Sequence, residues 1–283
     1  MSCPLCYSQD TPQIKGVVRD LPDVPILKCN DCGLVFLGSF DHIHNEFYED
    51  SEMRGAEDID MDVWISETKA DDERRFRYLR DDLKGVDVLD FGAGNGGFLR
   101  LANQTAKSVT AIELDKEASS LFVRDNIPHY RFLSEVPNNK RFNLITAFHV
   151  IEHLKDPVGF LREVSSFLHP DGSLYLEFPN ANDALLSIYD SRPFSEFTYW
   201  SCHLILFNHE TIEIAIKKAG LRCKSIDHIQ RYPLSNHLHW LAKGRPGGHQ
   251  IWSFLDSKEL NAAYEETLAK QRACDTLLVE VSL

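Results

Sequence analysis

The sequence contains no apolar run of the roughly eighteen residues that a membrane-spanning helix requires. Its first residues, Met1–Asp10, lack both the basic stretch and the apolar stretch of a secretion signal. No internal repeat or low-complexity tract is present. We therefore expect a soluble, cytoplasmic protein that has no membrane partner.

Basic side chains are also scarce. Thirty Lys and Arg residues face 43 Asp and Glu residues, which gives a net charge of −13 at pH 7. Such a surface repels phosphate backbones on average, so nucleic acid is a disfavoured partner. The hydrophobic content of 43% is ordinary for a globular protein with a substantial core.

Four of the seven cysteines form two C-x-x-C pairs near the N-terminus. Cys3 and Cys6 make one pair, and Cys29 and Cys32 make the other. Together they supply four thiolates, the tetrahedral set that zinc prefers and that leaves no position open for catalysis. A redox role would need one such pair at a helix start in a thioredoxin-like unit, which neither pair has. Residues 1–40 are too few to fold without a staple, so we expect a structural zinc-binding module there.

Two further segments follow this module. Residues 41–84 are expected to form an acidic linker and a lead-in helix, and residues 85–283 an α/β domain in which strands and helices alternate. The predicted strands are Asp87–Phe91, Ser108–Glu113, Tyr130–Leu133, Phe142–Phe148, Gly172–Phe178, Leu221–Ile229 and Asp275–Ser282. This alternation predicts right-handed crossovers and a largely parallel sheet covered on both faces.

A glycine-rich loop, Gly92–Gly97, connects the first of these strands to a helix. Glycines allow a sharp turn and let a ligand approach main-chain N–H groups. Glu113 ends the next strand, where a carboxylate can accept hydrogen bonds from ribose hydroxyls. The pattern favours an adenosine-containing cofactor, and the alternative is a tight turn followed by a solvated glutamate.

Four stretches in order resemble class I S-adenosylmethionine-dependent methyltransferases: VLDFGAGNGGFL, VTAIELD, FNLITAFHVIEHLKDP and LHPDGSLYLEFPN. The resemblance implies a Rossmann-like, seven-stranded methyltransferase sheet preceded by a small zinc ribbon, and S-adenosylmethionine as cofactor. It also implies the cofactor-binding residues Asp90, Gly92, Gly94, Asn95, Glu113, Leu114, Phe148 and His149. The family often places an acidic residue near the adenine, but Leu133-Ser134-Glu135 stands there, so a largely main-chain contact is expected.

One histidine lies where the predicted fourth strand ends, and another lies in the loop after the predicted fifth strand. Methyl transfer requires alignment of acceptor, methyl carbon and sulfur, and removal of at most one proton, for which histidine is suited. His149 is the first candidate for this base, and the alternative is a histidine that packs under the cofactor. His203 is the second candidate, and the alternative is a loop histidine that caps a helix. Glu152 and His153 resemble a Glu-His pair of the family that has a structural role.

The N-terminal run Cys29–Phe36 is similar to zinc ribbons of sugar methyltransferases. We therefore expect a small-molecule acceptor, with methyl transfer to a hydroxyl of a sugar or nucleotide-linked sugar. Two alternatives stay open: an RNA methyltransferase whose zinc module reads RNA, and a non-catalytic protein that binds S-adenosylmethionine. The resemblance leaves the choice among oxygen, nitrogen and carbon acceptors open.

An insertion at residues 233–270 interrupts the last two strands. It and the residues before it are rich in hydrogen-bond donors and aromatic rings, which could meet an anionic sugar acceptor: Arg231, Lys243, Arg245, Tyr232 and Trp240. The alternative is a solvated loop followed by a helix at Ser253–Lys270 that forms a homodimer.

Overall fold

Two short antiparallel strands, β1 (Ile26–Lys28) and β2 (Val35–Leu37), form the N-terminal part of the computed structural model, which describes residues 1–44 and 61–283. Most of the expected acidic linker, residues 45–60, lies outside the described residues. The lead-in helix is present as α1 (Met61–Leu79).

Alternating strands and helices follow. The strands are β3 (Asp87–Phe91), β4 (Ser108–Ile112), β5 (His129–Tyr130), β6 (Phe142–Phe148) and β7 (Leu168–Pro179). The helices between them are α2 (Gly97–Ala102), α3 (Lys116–Arg124) and α4 (Pro157–Ser165). Asp115 begins α3 by accepting hydrogen bonds from the backbone N–H groups of Glu117 and Ala118, as helix N-caps do.

The chain then forms α5 (Ala184–Ser187), α6 (Arg192–Ser195), β8 (Ile205–Leu206), α7 (His209–Ala219) and β9 (Arg222–Ile229). Gly220, with a φ of 83°, ends α7 in the left-handed conformation that glycine favours. The final strand is β10 (Thr276–Ser282).

The central sheet has seven strands in the order β5-β4-β3-β6-β7-β10-β9. The first five are parallel, whereas β10 runs antiparallel between β7 and β9. This confirms the predicted α/β class and the seven-stranded sheet. The carboxyl ends of β3, β4 and β6 meet at one edge, where open α/β sheets bind ligands.

Strand β5 differs from its predicted extent of Tyr130–Leu133. It covers only His129–Tyr130, and Leu133–Glu135 forms a 3₁₀ turn. The Glu135 carboxylate accepts hydrogen bonds from the backbone N–H groups of Arg131 and Phe132 at 2.8 and 3.2 Å. The side chain thus takes donors that a longer strand would use for pairing.

The N-terminal part is joined to the α/β part through β8. Strand β2 pairs with β8, so that β1, β2 and β8 form a three-stranded sheet. One continuous apolar core contains Phe36 of the N-terminal part together with Phe178 and Phe207. The division at residues 40 and 85 stays a prediction, and these two parts share both a sheet and a core.

The insertion folds as α8 (Leu234–Lys243), α9 (Gly248–Ile251), a 3₁₀ turn and α10 (Lys258–Lys270). The last helix therefore begins after the predicted Ser253, because Ser257 caps it by accepting from the backbone N–H of Leu260. The segment before it is helical, not a solvated loop. Within the described ranges, no helix has the length and apolar character needed to cross a bilayer.

Candidate active site

A cavity of about 840 Å³ lies at the carboxyl edge of β3, β4 and β6. All eight residues predicted to bind a cofactor line it: Asp90, Gly92, Gly94, Asn95, Glu113, Leu114, Phe148 and His149. The fold therefore brings together residues that are far apart in the sequence. The volume is near the upper end of the range for small-molecule sites, about 300–1,000 Å³.

The glycine loop is held in place by Glu113. The backbone N–H of Gly94 donates to Glu113 Oε2 at 2.6 Å, and that of Asp115 donates to Glu113 Oε1 at 2.9 Å. Desolvation raises the pKa of Glu113, and these N–H donors oppose the shift. Gly92 has a φ of 72°, and a Cβ at this position would lie 2.5 Å from Val150 Cγ2. Glycine is therefore required at Gly92 both by conformation and by space.

Asp90 lies beneath the loop and is 2% exposed. Burial raises its pKa to about 7, although Thr146 Oγ1 donates a hydrogen bond to Asp90 Oδ1 at 2.7 Å. Asn95 connects the loop to α1, because its Nδ2 donates to Thr68 Oγ1 at 2.8 Å. Asn95 thus ties the loop to the helix, whereas Asp90 is tied to β6.

Helix α1 forms the roof of the cavity. Its residues Trp64, Glu67, Thr68, Asp71, Asp72 and Arg75 line the cavity wall. None of these residues was predicted to belong to the site. A signal was present, since Asp71 with Arg74 and Asp72 with Arg75 are acidic–basic pairs at i,i+3 spacing. Such pairs are normally read as a solvated helix face, but here Asp72 and Arg75 are buried.

Glu177, at the end of β7, is a fully buried carboxylate that joins this roof to the sheet. Arg74 donates to its two oxygens at 2.8 and 3.0 Å, and Arg75 donates to Oε1 at 2.7 and 3.0 Å. Burial alone would raise the pKa of Glu177, but His149 and the two guanidinium groups hold it well below its usual value. A buried charge with this number of donors is well compensated.

His149 lies on the wall of the cavity in a left-handed backbone conformation with a φ of 55°. Its Nδ1 is 3.1 Å from Glu152 Oε1, and its Nε2 is 3.2 Å from Arg231 Nη1 and 3.4 Å from Glu177 Oε1. Burial disfavours the imidazolium form, but the hydrogen bonds to Glu152 and Glu177 outweigh it and raise the pKa of His149. An unusual backbone conformation in a non-glycine residue is typical of functional sites.

His203 does not line the cavity. Its ring packs edge-on against that of His153, with centroids 4.9 Å apart, and His153 does line the cavity. Burial, reinforced by the charge of His153, lowers the pKa of His203 to about 3. Both its position and its weak basicity argue against the expectation that His203 takes the acceptor proton.

The insertion contributes less to the cavity than expected. Arg231 lines it and forms an ion pair with Asp71, but Lys243, Arg245 and Tyr232 are absent from its wall. Trp240 is 3% exposed and packs against Phe194 and Phe197, with centroids 5.2 and 5.0 Å apart. The expectation that Trp240 stacks on an acceptor is therefore wrong, because its side chain is buried against these rings.

The cavity wall is predominantly acidic. Seven carboxylates line it, against the guanidinium groups of Arg75, Arg131 and Arg231. The carboxylates are Glu67, Asp71, Asp72, Asp90, Glu113, Asp115 and Glu163. This balance favours a positively charged ligand.

The four N-terminal cysteines meet as predicted. Their Sγ atoms lie within 4.8 Å of one another, with Cys3 and Cys32 at 3.6 Å and Cys6 and Cys29 at 3.4 Å. The two pairs share one turn geometry, since the N–H of Tyr7 donates to the Cys3 carbonyl and that of Gly33 to the Cys29 carbonyl, each at 2.9 Å. Tyr7 and Gly33 both have positive φ, 65° and 83°. Four thiols arranged in this way fit a tetrahedral zinc ion.

Comparison with known proteins is consistent with this geometry. A family model described as a methyltransferase domain matches residues 66–226. The chain is 28% identical over 122 residues to the ubiquinone biosynthesis O-methyltransferase of Haemophilus ducreyi, covering 38% of this chain and 52% of that protein. It is 30% identical over 105 residues to the tRNA U34 carboxymethyltransferase of Nautilia profundicola, covering 34% and 35% of the two chains.

Among solved structures, a methyltransferase of Archaeoglobus fulgidus that depends on S-adenosylmethionine matches with a TM-score of 0.51 and 17% identity. The match covers 85% of this chain and 100% of that one. This likeness concerns the fold. The chain spans about half the length, or less, of the curated relatives it matches.

Proposed function

Because this chain belongs to the methyltransferase-domain family, whose model covers more than half of it, we propose that it methylates a hydroxyl of a small-molecule acceptor, a sugar or a nucleotide-linked sugar. One observation carries the proposal: Gly94, Glu113 and His149 all line one cavity of about 840 Å³. The methyl donor is S-adenosylmethionine, as in the family.

The residues of the cavity fit this donor. Gly92 and Gly94 carry no Cβ, so that a ligand can approach the backbone of the loop closely, and Glu113 stands where ribose hydroxyls would donate to it. Asp90 and the other carboxylates of the wall suit the positive charge of a sulfonium. Leu114, Phe148 and Asn95 complete the set that would hold it. When bound, S-adenosylmethionine supplies an electrophilic methyl carbon on a sulfonium sulfur.

His149 is the residue to which we assign the acceptor proton. As a base it would take the hydroxyl proton at Nε2 as the acceptor oxygen gains the methyl group that the bound donor would supply, the donor leaving as the neutral thioether. Glu152, hydrogen-bonded to Nδ1, stabilises the imidazolium that results. To act in this way, Nε2 must exchange its contacts with Arg231 and Glu177 for the acceptor hydroxyl.

Within this proposal, the charge of the wall favours an uncharged, hydroxyl-rich sugar over a nucleotide-linked sugar, whose phosphates are anionic. An anionic sugar would meet the carboxylate excess, and Arg231 is already paired with Asp71. Trp200 and Leu154 give the acceptor end an apolar surface against which a sugar ring could pack.

For the N-terminal part, we propose a structural zinc ion bound by Cys3, Cys6, Cys29 and Cys32. The four thiols fill its coordination shell, so that the ion stabilises the fold and leaves no position for a substrate.

The test combines binding with turnover. Titration calorimetry with S-adenosylhomocysteine should show binding to the wild-type chain, and methyl-labelled S-adenosylmethionine should label a neutral sugar or nucleotide-sugar from an acceptor panel. His149→Gln should retain product binding and lose most of the labelling. Absence of binding to both forms of the cofactor would refute the proposal, and binding without turnover on any acceptor would favour the non-catalytic alternative.

An RNA acceptor is the second candidate, supported by the similarity to the Nautilia profundicola enzyme whose name specifies tRNA. The net charge of −13 opposes it, since phosphate contacts dominate RNA affinity. Retention of transfer RNA by the purified protein at about 0.15 M salt, with labelling of that RNA, would favour this candidate over a sugar.

A further inference from the structure

A second group of side chains that could hold a metal ion lies behind the cavity wall, and one of its members, His153, lines that wall. His153, Cys202 and His203 each offer one ligand atom, and these three atoms lie within 4.8 Å of one another. We propose that they bind a divalent cation of the zinc class, with a fourth coordination position that faces the cavity. This site is distinct from the four N-terminal cysteines.

The chemistry of the donors defines the metal. Two imidazoles and one thiolate suit zinc better than magnesium or calcium, which prefer oxygen ligands. Tetrahedral zinc places such ligand atoms about 3.3–3.8 Å apart, given bond lengths of about 2.0–2.3 Å. The three ligand atoms lie within 4.8 Å of one another, so the movement needed to close them around an ion is no larger than a side-chain rotation supplies.

The ring of His153 is oriented by a second contact. Its Nδ1 is 2.8 Å from the carbonyl oxygen of Cys202, which accepts a hydrogen bond from it. Metal-ligating histidines commonly hold their orientation through such a bond to a backbone carbonyl. Cys202 is 3% exposed, so its thiol is shielded from solvent as a metal ligand requires.

A buried carboxylate oxygen points to the same place. Glu152 precedes His153 in the chain and is 1% exposed, and within the described part of the chain its Oε2 has no hydrogen-bond partner. Uncompensated buried carboxylate oxygens are costly and usually mark a missing partner. A cation among the adjacent ligands would offset this charge.

The loop that carries Cys202 and His203 is fixed by the N-terminal part. Asp20 accepts from the backbone N–H and the hydroxyl of Ser201 at 2.9 and 2.7 Å, and the Arg19 guanidinium lies 3.7 Å from the centre of the Trp200 ring. The site is therefore built by three parts of the chain. Such preorganisation is what a metal site with three protein ligands needs.

The open position gives the site a role that rests on the function proposed above. His153 and Trp200 both line the cavity, so a hydroxyl of the acceptor could occupy the fourth position. Coordination lowers the pKa of a bound hydroxyl, which then loses its proton more readily to His149. His203 would thus serve the reaction as a ligand and not as a base.

Metal stoichiometry tests the proposal independently of turnover. Purified wild-type protein, dialysed against zinc and then against metal-free buffer, should retain about two zinc ions per chain by mass spectrometry. Cys202→Ser and His203→Gln should each retain about one, and Cys274→Ser, which removes another fully buried thiol, should retain two. When cobalt replaces zinc, the second site should contribute the absorption band of cobalt bound to one thiolate. Cys202→Ser should abolish this band, and Cys274→Ser should preserve it.

Circular dichroism and binding of S-adenosylhomocysteine identify any variant that has failed to fold. The zinc content is then compared in whichever of Cys202→Ser and His203→Gln is folded. One zinc ion per wild-type chain, unchanged in that variant, would overturn the proposal. Retention of two ions by a protein that methylates no acceptor would leave the metal site standing and refute only the function proposed above.

Discussion

Arg231, which follows β9, forms an ion pair with Asp71 of α1, and Nε of Arg231 is 3.0 Å from Asp71 Oδ1. The pair connects the antiparallel end of the sheet to the roof of the cavity. Each side chain is 23% exposed, so the pair is only partly screened by water.

We expect the Arg231–Asp71 pair to couple the roof to the sheet. In a double-mutant cycle with Arg231→Gln and Asp71→Asn, the coupling free energy of unfolding should be about 1–2 kcal/mol, because partly buried networks couple in this range. The matched control is the pair of Arg272 and Glu210, which are 51% and 50% exposed. Their coupling should stay below about 0.5 kcal/mol, as for other surface pairs. Equal coupling in the two cycles would contradict the prediction.

Glu113→Gln should weaken binding of S-adenosylhomocysteine by about 10- to 100-fold, because a charge-assisted hydrogen bond is worth about 1.5–3 kcal/mol. The substitution also loosens the Gly94 loop, whose N–H donates to this carboxylate. Calorimetry measures the dissociation constant. Glu117→Gln, at an exposed position on α3, is the control and should bind normally.

Gly92→Ala and Gly85→Ala separate backbone strain from loss of space. Both glycines have similar positive φ, 72° and 69°, but nothing lies within 4 Å of a Cβ at Gly85, whereas Val150 would be 2.5 Å from one at Gly92. Each variant should lose about 1 kcal/mol of stability through strain. Only Gly92→Ala should lose cofactor affinity and a further part of its stability, measured by calorimetry and thermal unfolding. Comparable cofactor affinity in both variants would show that the Val150 contact is unimportant.

Removal of one N-terminal thiol should destabilise β8 in addition to the first forty residues. Cys29→Ser should lose bound zinc and lower the melting temperature, and protease cleavage should increase near β8 as well as near β2, because the two strands pair. Cys223→Ser, a partly buried thiol remote from the cluster, is the control. Cleavage confined to the first forty residues would mean that β8 keeps its structure without the metal.

The rate of methyl transfer should rise with pH as His149 loses its proton. Because hydrogen bonds to Glu152 and Glu177 raise the pKa of His149, the rising limb should lie above the ordinary value of 6.5. Glu152→Gln removes a group that favours the imidazolium, so the limb should move to lower pH. The pH profile of kcat checks this, with Glu259→Gln on the exposed face of α10 as the control for loss of charge. A limb that stays in place would remove His149 from the role of base.

Much of the fold was predictable because it depends on short-range patterns in the sequence. Apolar strands bounded by glycine and capping residues gave the sheet, and the loop before α2 with Glu113 after β4 predicted the cofactor end of the cavity. The spacing of the four cysteines predicted their meeting. In each case the chemistry lies within a short stretch of sequence or follows from the direction of parallel strands.

The acceptor end was less predictable because it depends on contacts between distant segments. Arg75 and Glu177 are far apart in the chain, and charged residues on a helix are normally solvated, so their burial could not be read from α1. Trp240 was predicted to stack on an acceptor. It is instead buried against Phe194 of α6 and against Phe197, which follows α6. His203 depends on how the loop before β8 packs, which no local pattern specifies.

The shared strand β8 has a consequence for how such a protein can be shortened or recombined. A chain trimmed to begin at Met61 would keep the glycine loop and the roof, but β8 would have lost its pairing partner, and apolar side chains such as Ile205 and Phe207 would lose their cover. Bare strand edges of this kind recruit other copies. The pairing of β2 with β8 thus covers a strand edge that would otherwise be open, and exchanging the N-terminal part between relatives would require its partner strand to be exchanged as well.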